Sequence, residues 1–436
     1  MERALVIGLG AAAEPAVRHL DRRGFEVRVV EDSPSEASRA RAGRLGVELL
    51  VGLAPDAALA GVDLVVPSPS VPFAHPALRA ASDRGLPVWS EFELFARWDT
   101  RPAVAITGTN GKTTVTTLVE AILVEAGRRA VACGNNDLPL LSAMDDETTE
   151  LFVVEASSFR LAFTDTFRPV VGTWLNLSPD HLDWHPSFEH YAQAKFRIWA
   201  NQAPTDVAVA NADDPDVLGF LDRAPGRRVT FGLASPGGYR VEAGGLLAPD
   251  GRRIVGVDEL PRRLPHDLAN HLAAAATAME AGAPVDACRE VLTRFEGLPH
   301  RVAFVRDTGG VRWYDDSKAT TPASVVTAAS GFESVVLIAG GRNKGLDLGV
   351  LREVAERLRA VVAIGSAAGD VESAFQGAVP VEVAGSMEAA VAIARRLARP
   401  GDVVLLSPGC TSFDWYANYA ERGDHFARLV RELETA

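Results

Sequence analysis

A four-residue turn, Gly108-Thr109-Asn110-Gly111, separates the apolar run "PAVAIT" from the stretch "KTTVTTLVEAILVEAG". The run reads as a strand, and the stretch repeats apolar residues near the helical period. Small residues at such a junction let successive backbone N–H groups converge on an anion at the positive end of a helix. Lys112 follows directly and can reach a terminal phosphate; Thr113 can present its hydroxyl to Mg²⁺, with Thr114 next in line. The chemistry implied is nucleotide phosphate binding. The common form of such loops places a glycine five residues before Gly111, where Ile106 stands, and Gly108 comes two residues late. A loop of different shape is therefore expected. The competing reading is a plain strand–turn–helix with an exposed lysine.

Two further stretches carry chemistry-bearing residues. In "ELFVVEASSFRL" a strand ends in Glu155, followed by Ser157 and Ser158. A carboxylate at the C-terminal end of a neighbouring parallel strand is where a cation facing the phosphate loop would be held, although a solvated strand-end Glu reads the same way. In "WLNLSPDHLDWHPSFEHYAQAKFRIW" a strand gives way to Asp180, His181, Asp183 and His185. These could ligate a metal or orient a substrate. His185 precedes Pro186 and reads equally as a turn residue. Lys195, judged by its local sequence, reads as a helix-surface lysine.

The elements that must position these groups alternate. Short β-branched runs such as "ALVIG", "EVRVV", "AVAIT", "FVVEA", "SVVLIAG" and "DVVLLSP" are separated by helical stretches, which implies an α/β fold with parallel sheets buried on both faces. At 436 residues the chain is too long for one core. Three blocks are expected: 1–98, 99–297 and 298–436. The first opens on Gly8, Gly10 and Ala13 in a GxGxxA pattern, with Glu31 and Asp32 ending the second strand, where they could meet a ribose or solvent. The second includes a Gly-rich region near 226–262 that reads as added β-hairpins. The third should carry four strands and an amphipathic C-terminal helix. A net charge of −13 argues against a nucleic-acid partner. The three scattered cysteines form neither a disulfide framework nor a zinc cluster and suit a reducing cytoplasm. The opening "MERALVIGLG" lacks signal-peptide architecture, and no apolar run reaches the ~20 residues needed to cross a bilayer.

Read together, "GTNGKT", "EASSFRL", "NLSPDHLDWH", "YAQAKFRIW", "NADDP", "LPHDLANHLAAA", "GLPHR", "DDSKATTP", "AGGRNKG" and "LLSPGCTSFDWYANYAERGDHF" follow one another in the order found in the Mur ligase family of cell-wall enzymes, which this chain resembles. "DSKAT" and the C-terminal motifs resemble the branch that adds D-glutamate to UDP-N-acetylmuramoyl-L-alanine. The resemblance implies a Rossmann-like N-terminal domain for the UDP substrate, a central phosphate-loop ATPase domain, and a Rossmann-like C-terminal domain for the amino acid. It implies an ATP-dependent amide ligase working through an acyl phosphate in peptidoglycan precursor synthesis, with ATP, two Mg²⁺ ions and a carbamylated Lys195.

By the same resemblance, Gly108 to Thr114, Asn270 at a helix start, Arg301 and Asp316 would bind ATP. Thr113, Glu155, His181 and Lys195 would hold metal. Lys112, His181, Lys195 and Lys318 would be catalytic, and Asn135, Thr320, Lys344, Ser412 and Tyr419 would contact substrate. The family habit implies a cytoplasmic monomer with no membrane insertion. Departures fall on the nucleotide-sugar side: Ser70 replaces a glycine in "SPSVP", Asn136 and Asp137 stand where relatives read Ile-Gly, and Asp267 stands where Asn is usual. They leave open a sister ligase acting on another amino acid, such as L-glutamate, or on a folyl or peptidyl acceptor. A non-catalytic phosphate-loop regulator is the third reading; it would have no use for His181, Lys195, Lys318 and Lys344.

Overall fold

The computed structural model describes residues 1–136 and 138–433. The chain forms two compact units, residues 1–261 with 268–295, and residues 262–267 with those from 296 onward.

The first unit contains two sheets. The smaller has four parallel strands in the order Glu48–Val51, Glu26–Glu31, Arg3–Ile7, Leu64–Pro67. The parallel strands agree with the reading of "ALVIG" and "EVRVV", and their order with the Rossmann-like domain that the family resemblance implies. The larger has nine strands: Arg253–Gly256, Gly245–Leu247, Tyr239–Glu242, Arg227–Gly232, Val207–Asn211, Val171–Trp174, Ala103–Thr107, Leu151–Glu155, Ala130–Gly134. Ala103–Thr107 and Leu151–Glu155 are buried at every position, as parallel strands covered on both faces must be. The Gly-rich region divides. Arg227–Gly232 pairs parallel with Val207–Asn211 and extends the main sheet, whereas the three strands after it form the antiparallel hairpins that the sequence suggested.

The helix Glu91–Trp98 closes the first expected block, yet it packs on the large sheet. Phe92 stacks on Phe167 at 5.2 Å and Phe95 meets Phe152 edge-on at 5.1 Å. One apolar cluster consequently runs from Val6 and Leu20 through Phe92 to Phe152 and Trp199.

The second unit has six strands rather than the four expected: Ala303–Thr308, Val311–Asp315, Val403–Gly409, Val335–Gly340, Leu358–Ile364, Val381–Ala384. The pair Ala303–Thr308 and Val311–Asp315 is antiparallel and lies at an edge. Its burial is interrupted by exposed positions, so it lacks the continuous apolar run that marks the inner strands. Among the described residues no helix is long and apolar enough to cross a membrane.

Glu93 anchors the connecting helix. Its buried carboxylate accepts the backbone N–H groups of Asp165 and Thr166, both at 2.7 Å, the Thr166 hydroxyl at 2.8 Å and Arg97 Nε at 2.7 Å. Burial pushes this carboxyl up, but the donors together outweigh burial and leave it below its usual value. A depressed folded pKa stabilises above the unfolded value of about 4.3, and the contribution is lost as pH falls through the folded pKa. Glu93→Gln is therefore expected to cost about 1–3 kcal/mol at pH 7. In thermal denaturation the gap between the two proteins should narrow as pH drops below about 4; a gap independent of pH would contradict this account.

Candidate active site

The phosphate loop follows the strand Ala103–Thr107 and opens the helix Lys112–Glu125. Gly111, at φ +84°, forms the helix start with no side-chain cap, at the end of the helix where an acceptor meets the first N–H groups. The loop is laced to the segment after Val171–Trp174. Asn176 Oδ1 accepts from Asn110 N at 2.8 Å, and its Nδ2 donates to Asn110 O at 3.1 Å. Thr109 N donates to Asn176 O at 3.1 Å, Ser178 N donates to Thr109 Oγ1 at 3.0 Å, and the Tyr191 hydroxyl lies 3.0 Å from that same oxygen. Asn176 and Tyr191 were not singled out from the sequence. Their signal was position: Asn176 lies two residues past a strand end, and Tyr191 lies one helical turn before Lys195.

Lys112 Nζ donates to Gly108 O at 2.8 Å and to Thr109 O at 2.9 Å. Lys195 Nζ reaches the same Gly108 carbonyl at 2.7 Å. Lys195 is no surface lysine: it is 1% exposed, because Tyr191, Ala194, Lys195, Ile198 and Trp199 all lie on the buried face of the helix Phe188–Ala200. Burial first, and the charge of Lys112 second, hold its amine well below the ordinary lysine value.

Glu155 pairs in register with Ile106, two residues before the loop. It is buried; Oε1 accepts from Asn135 Nδ2 at 3.1 Å, while Oε2 has no hydrogen-bond partner among the described residues. His181 adopts φ +55°, lies 3.3 Å from the Asp180 carboxylate, and meets the Phe159 ring edge-on at 4.6 Å. His185 is not a mere turn residue. Its buried Nε2 lies 2.9 Å from Ser158 Oγ and its Nδ1 2.8 Å from His190 Nδ1, and burial, followed by the neighbouring His190, lowers its pKa to about 3. Thr113 and Thr114 occupy the first helical turn. Asn270 is in the second turn of Pro265–Glu280 rather than at its start, and its Oδ1 lies close to Gly111. Among the described residues no three His, Cys, Asp or Glu side chains cluster to hold a metal.

Ala12, Ala13, Ser68, Ser90, Glu91, Arg160 and Trp184 are among the residues lining a cleft. Trp184 Nε1 donates to Val71 O at 2.7 Å, tying the "SPSVP" loop to the segment that carries His181. Glu31 Oε1 accepts Leu9 N at 2.6 Å and so is already engaged by its own loop, while Asp32 lies 3.3 Å from His75 Nε2. Asp137 lies outside the described residues.

In the second unit, Asp316 accepts from Ser407 Oγ at 2.7 Å and Val302 N at 3.2 Å, and burial pushes its carboxyl up to about 7. Arg301 sits between His300 and Val302, both at positive φ. Lys318 Nζ stands 3.9 Å from the Tyr419 ring centroid. Buried Arg422, missed in the sequence, donates to Ser317 Oγ, Ser317 O and Cys410 O, fixing the turn before Lys318 to the turn before Ser412. Lys344 is exposed, and a backbone bridge between Arg342 and Thr411 brings its loop beside Ser412. Thr320 is half-buried, just before the helix Pro322–Ala329.

A phosphate loop, a buried lysine beside it and a strand-end carboxylate in register define the class: an α/β protein built to bind and use a nucleotide triphosphate. Family models match nearly end to end, as a Mur ligase MurD-like N-terminal domain over residues 2–90, a Mur ligase middle domain over 106–278 and a Mur ligase glutamate ligase domain over 300–410. The chain is 43% identical to a UDP-N-acetylmuramoylalanine--D-glutamate ligase of Frankia casuarinae, covering 99% of this chain and 94% of the relative. It is 40% identical to the enzyme of the same name from Desulfosudis oleivorans, covering 99% and 96%. Among solved structures, the MurF ligase of Thermotoga maritima in complex with ADP shares the fold, with a TM-score of 0.63 at 17% identity and 98% of each chain covered. The chain belongs to the Mur ligase family.

A Cβ at position 111 would meet Asn270 Oδ1 at 2.7 Å in a backbone conformation that disfavours L-residues. Gly111→Ala is expected to weaken ATP binding about tenfold or more, read by calorimetric titration; unchanged affinity would show that the loop accommodates the methyl.

Proposed function

We propose that the chain is an ATP-dependent acid–amino-acid ligase that joins D-glutamate to UDP-N-acetylmuramoyl-L-alanine in peptidoglycan precursor synthesis. The observation that carries this reading is the convergence of Lys112 and Lys195 on the Gly108 carbonyl, with Glu155 one strand away. The relatives that carry the name of that activity, matched over nearly their whole length, support the choice of substrates. The sister-ligase alternative loses ground because the N-terminal block, where Ser70 departs, matches the MurD-like N-terminal model over residues 2–90.

A carboxylate does not condense with an amine in water. In the proposed course, a carboxylate oxygen of the acceptor's terminal alanine attacks the γ-phosphorus, ADP leaves, and an acyl phosphate forms. The amine of D-glutamate then attacks the acyl carbon and inorganic phosphate leaves. Gly108 to Thr114 offer backbone N–H groups to the phosphates, and Lys112, freed from the two carbonyls it holds, neutralises them. Asn270, beside Gly111, would contact the nucleotide. Arg301 and Asp316 would do so from the second unit. Lys318, Thr320, Lys344, Ser412 and Tyr419 would take up the γ-phosphate and the glutamate carboxylates, with Lys344 suited to an ion pair. Asn135 would contact the acceptor.

The buried, unpartnered Glu155 Oε2 fits a cation ligand, so Thr113 and Glu155 would hold one Mg²⁺, and His181 with Lys195 a second. When bound, these ions would offset the charge of the polyphosphate. A neutral amine is the form that attacks CO₂, making an N–C bond and releasing one proton. The depressed basicity of Lys195 supports its carbamylation. Cys133, Cys288 and Cys410 are free and buried, which agrees with a cytoplasmic setting. A monomer is proposed from family habit alone.

Phosphate release from ATP should require both UDP-N-acetylmuramoyl-L-alanine and D-glutamate when an amino-acid panel is tested. Release with L-glutamate instead would assign the chain to a sister activity, and ATP binding without release for any acceptor would favour the regulator. Separately, Lys195→Ala should abolish turnover and leave ATP affinity within a few-fold of normal; near-normal turnover would remove the carbamate role.

A further inference from the structure

A chain of polar side chains, buried at Glu91, Arg160 and Glu155 and exposed at Asn135, runs from the cleft to Glu155. Glu91, at the start of the helix Glu91–Trp98, forms an ion pair with Arg160, and both side chains are 6% exposed. Arg160 Nη1 donates to Asn135 Oδ1 at 2.8 Å, and Asn135 Nδ2 donates to Glu155 Oε1 at 3.1 Å. The backbone closes the same contact. Asn135 N donates to Glu155 O at 3.0 Å, and Gly134, at φ +104°, passes so near that a Cβ there would lie 2.7 Å from the Glu155 carbonyl oxygen.

Each link admits one polarity. A guanidinium only donates, an ionised carboxylate only accepts, and an amide offers one end of each kind. Turning the Asn135 amide over would set its NH₂ against Arg160 and its oxygen against Glu155, which loses both bonds and opposes like partial charges. Arg160 therefore dictates which end of Asn135 faces Glu155, and that end occupies Oε1. Oε2 is left as the acceptor without a partner among the described residues. Buried ion pairs contribute little net stability compared with apolar replacements, so the Glu91–Arg160 pair calls for another role.

We propose that Arg160, held by Glu91, is a positioning residue for the cation site: acting through Asn135, it sets the rotation of the Glu155 carboxylate and reserves Oε2 for the metal. The proposal rests on Glu155 being a cation ligand. It adds to the expected contact of Asn135 with the acceptor a task inside the protein, which engages its oxygen and one of its two amide hydrogens.

The test is Mn²⁺ titration of the full-length protein with saturating ADP, followed by electron paramagnetic resonance, with thermal melts as the check on folding. Arg160→Met should weaken Mn²⁺ affinity about tenfold or more, as loss of a residue supporting a metal ligand does. Asn135→Leu should do the same, and the Arg160→Met/Asn135→Leu double variant should be no worse than Asn135→Leu alone, since both act through one contact. If Arg160→Met does not fold, Glu91→Gln/Arg160→Met, which leaves no unpaired buried charge, decides by the same loss. Wild-type affinity in any folded Arg160 variant, or additive losses in the double variant, would overturn the relay. A wild-type protein that binds no Mn²⁺ would instead remove Glu155 as a cation ligand, and the relay with it.

Discussion

The Gly108 carbonyl accepts hydrogen bonds from two lysine amines at once, 2.8 Å from Lys112 and 2.7 Å from Lys195. One oxygen has lone pairs enough for both; the difficulty is charge. Two ammonium groups within about 5 Å repel by about 3 kcal/mol at an effective dielectric of 20, and the fully buried one also loses its hydration. Lys195 is the one whose basicity is depressed, by its burial first and by the Lys112 charge second. Drawing Lys112 toward phosphate would remove a neighbouring positive charge from Lys195 and expose the helix N-terminus at Gly111.

That arrangement depends on backbone placement made elsewhere. In the large sheet, Ala103–Thr107 and Val171–Trp174 are neighbours, and the chain leaves the first toward Ala130–Gly134 and the second toward Val207–Asn211, in opposite directions. Such a switch point opens a crevice at the carboxyl ends of the strands. The phosphate loop, Glu155 and the 175–181 segment all emerge there. Asn176 holds the loop by a pair of bonds to Asn110 that imitates a backbone ladder, and Tyr191 holds Thr109. The helix Phe188–Ala200 then needs only its period to deliver Lys195 one turn further along the same face.

The strand–loop–helix at 103–125 was legible because its signals are local: a short apolar run, small residues, then a 3.6-residue repeat. The inner strands were legible for the same reason, and the edge pair Ala303–Thr308 and Val311–Asp315 was not, since its exposed positions break the run. Lys195 shows a different failure. Its sequence neighbours are mixed, but Tyr191, Ile198 and Trp199 lie one turn either side of it and form an apolar stripe. A window of four residues hid what a window of nine contains. The link from Glu91 to Arg160 to Asn135 had no local signal at all, because it joins residues 91, 160 and 135 through three different elements. The family resemblance supplied candidate roles for single residues; it did not supply the bonds among them.

At Asp267 and Ser70, where the chain departs from its family pattern, the change is absorbed nearby. Asp267 would be an unmatched carboxylate in place of an amide, but Arg262 Nε donates to it at 2.8 Å and Leu264 N at 3.3 Å. Ser70, in place of a glycine, directs its hydroxyl to Ser68 Oγ at 3.3 Å, in the loop that packs against Gly8. Both changes keep the backbone path and alter what hydrogen-bonds to it. Counting departures in a motif therefore overstates drift when each replacement arrives with a partner, since an unpaired buried polar group costs far more than a changed but satisfied one. The same reasoning makes Glu155 Oε2 an informative atom, since it is buried and without a hydrogen-bond partner among the described residues.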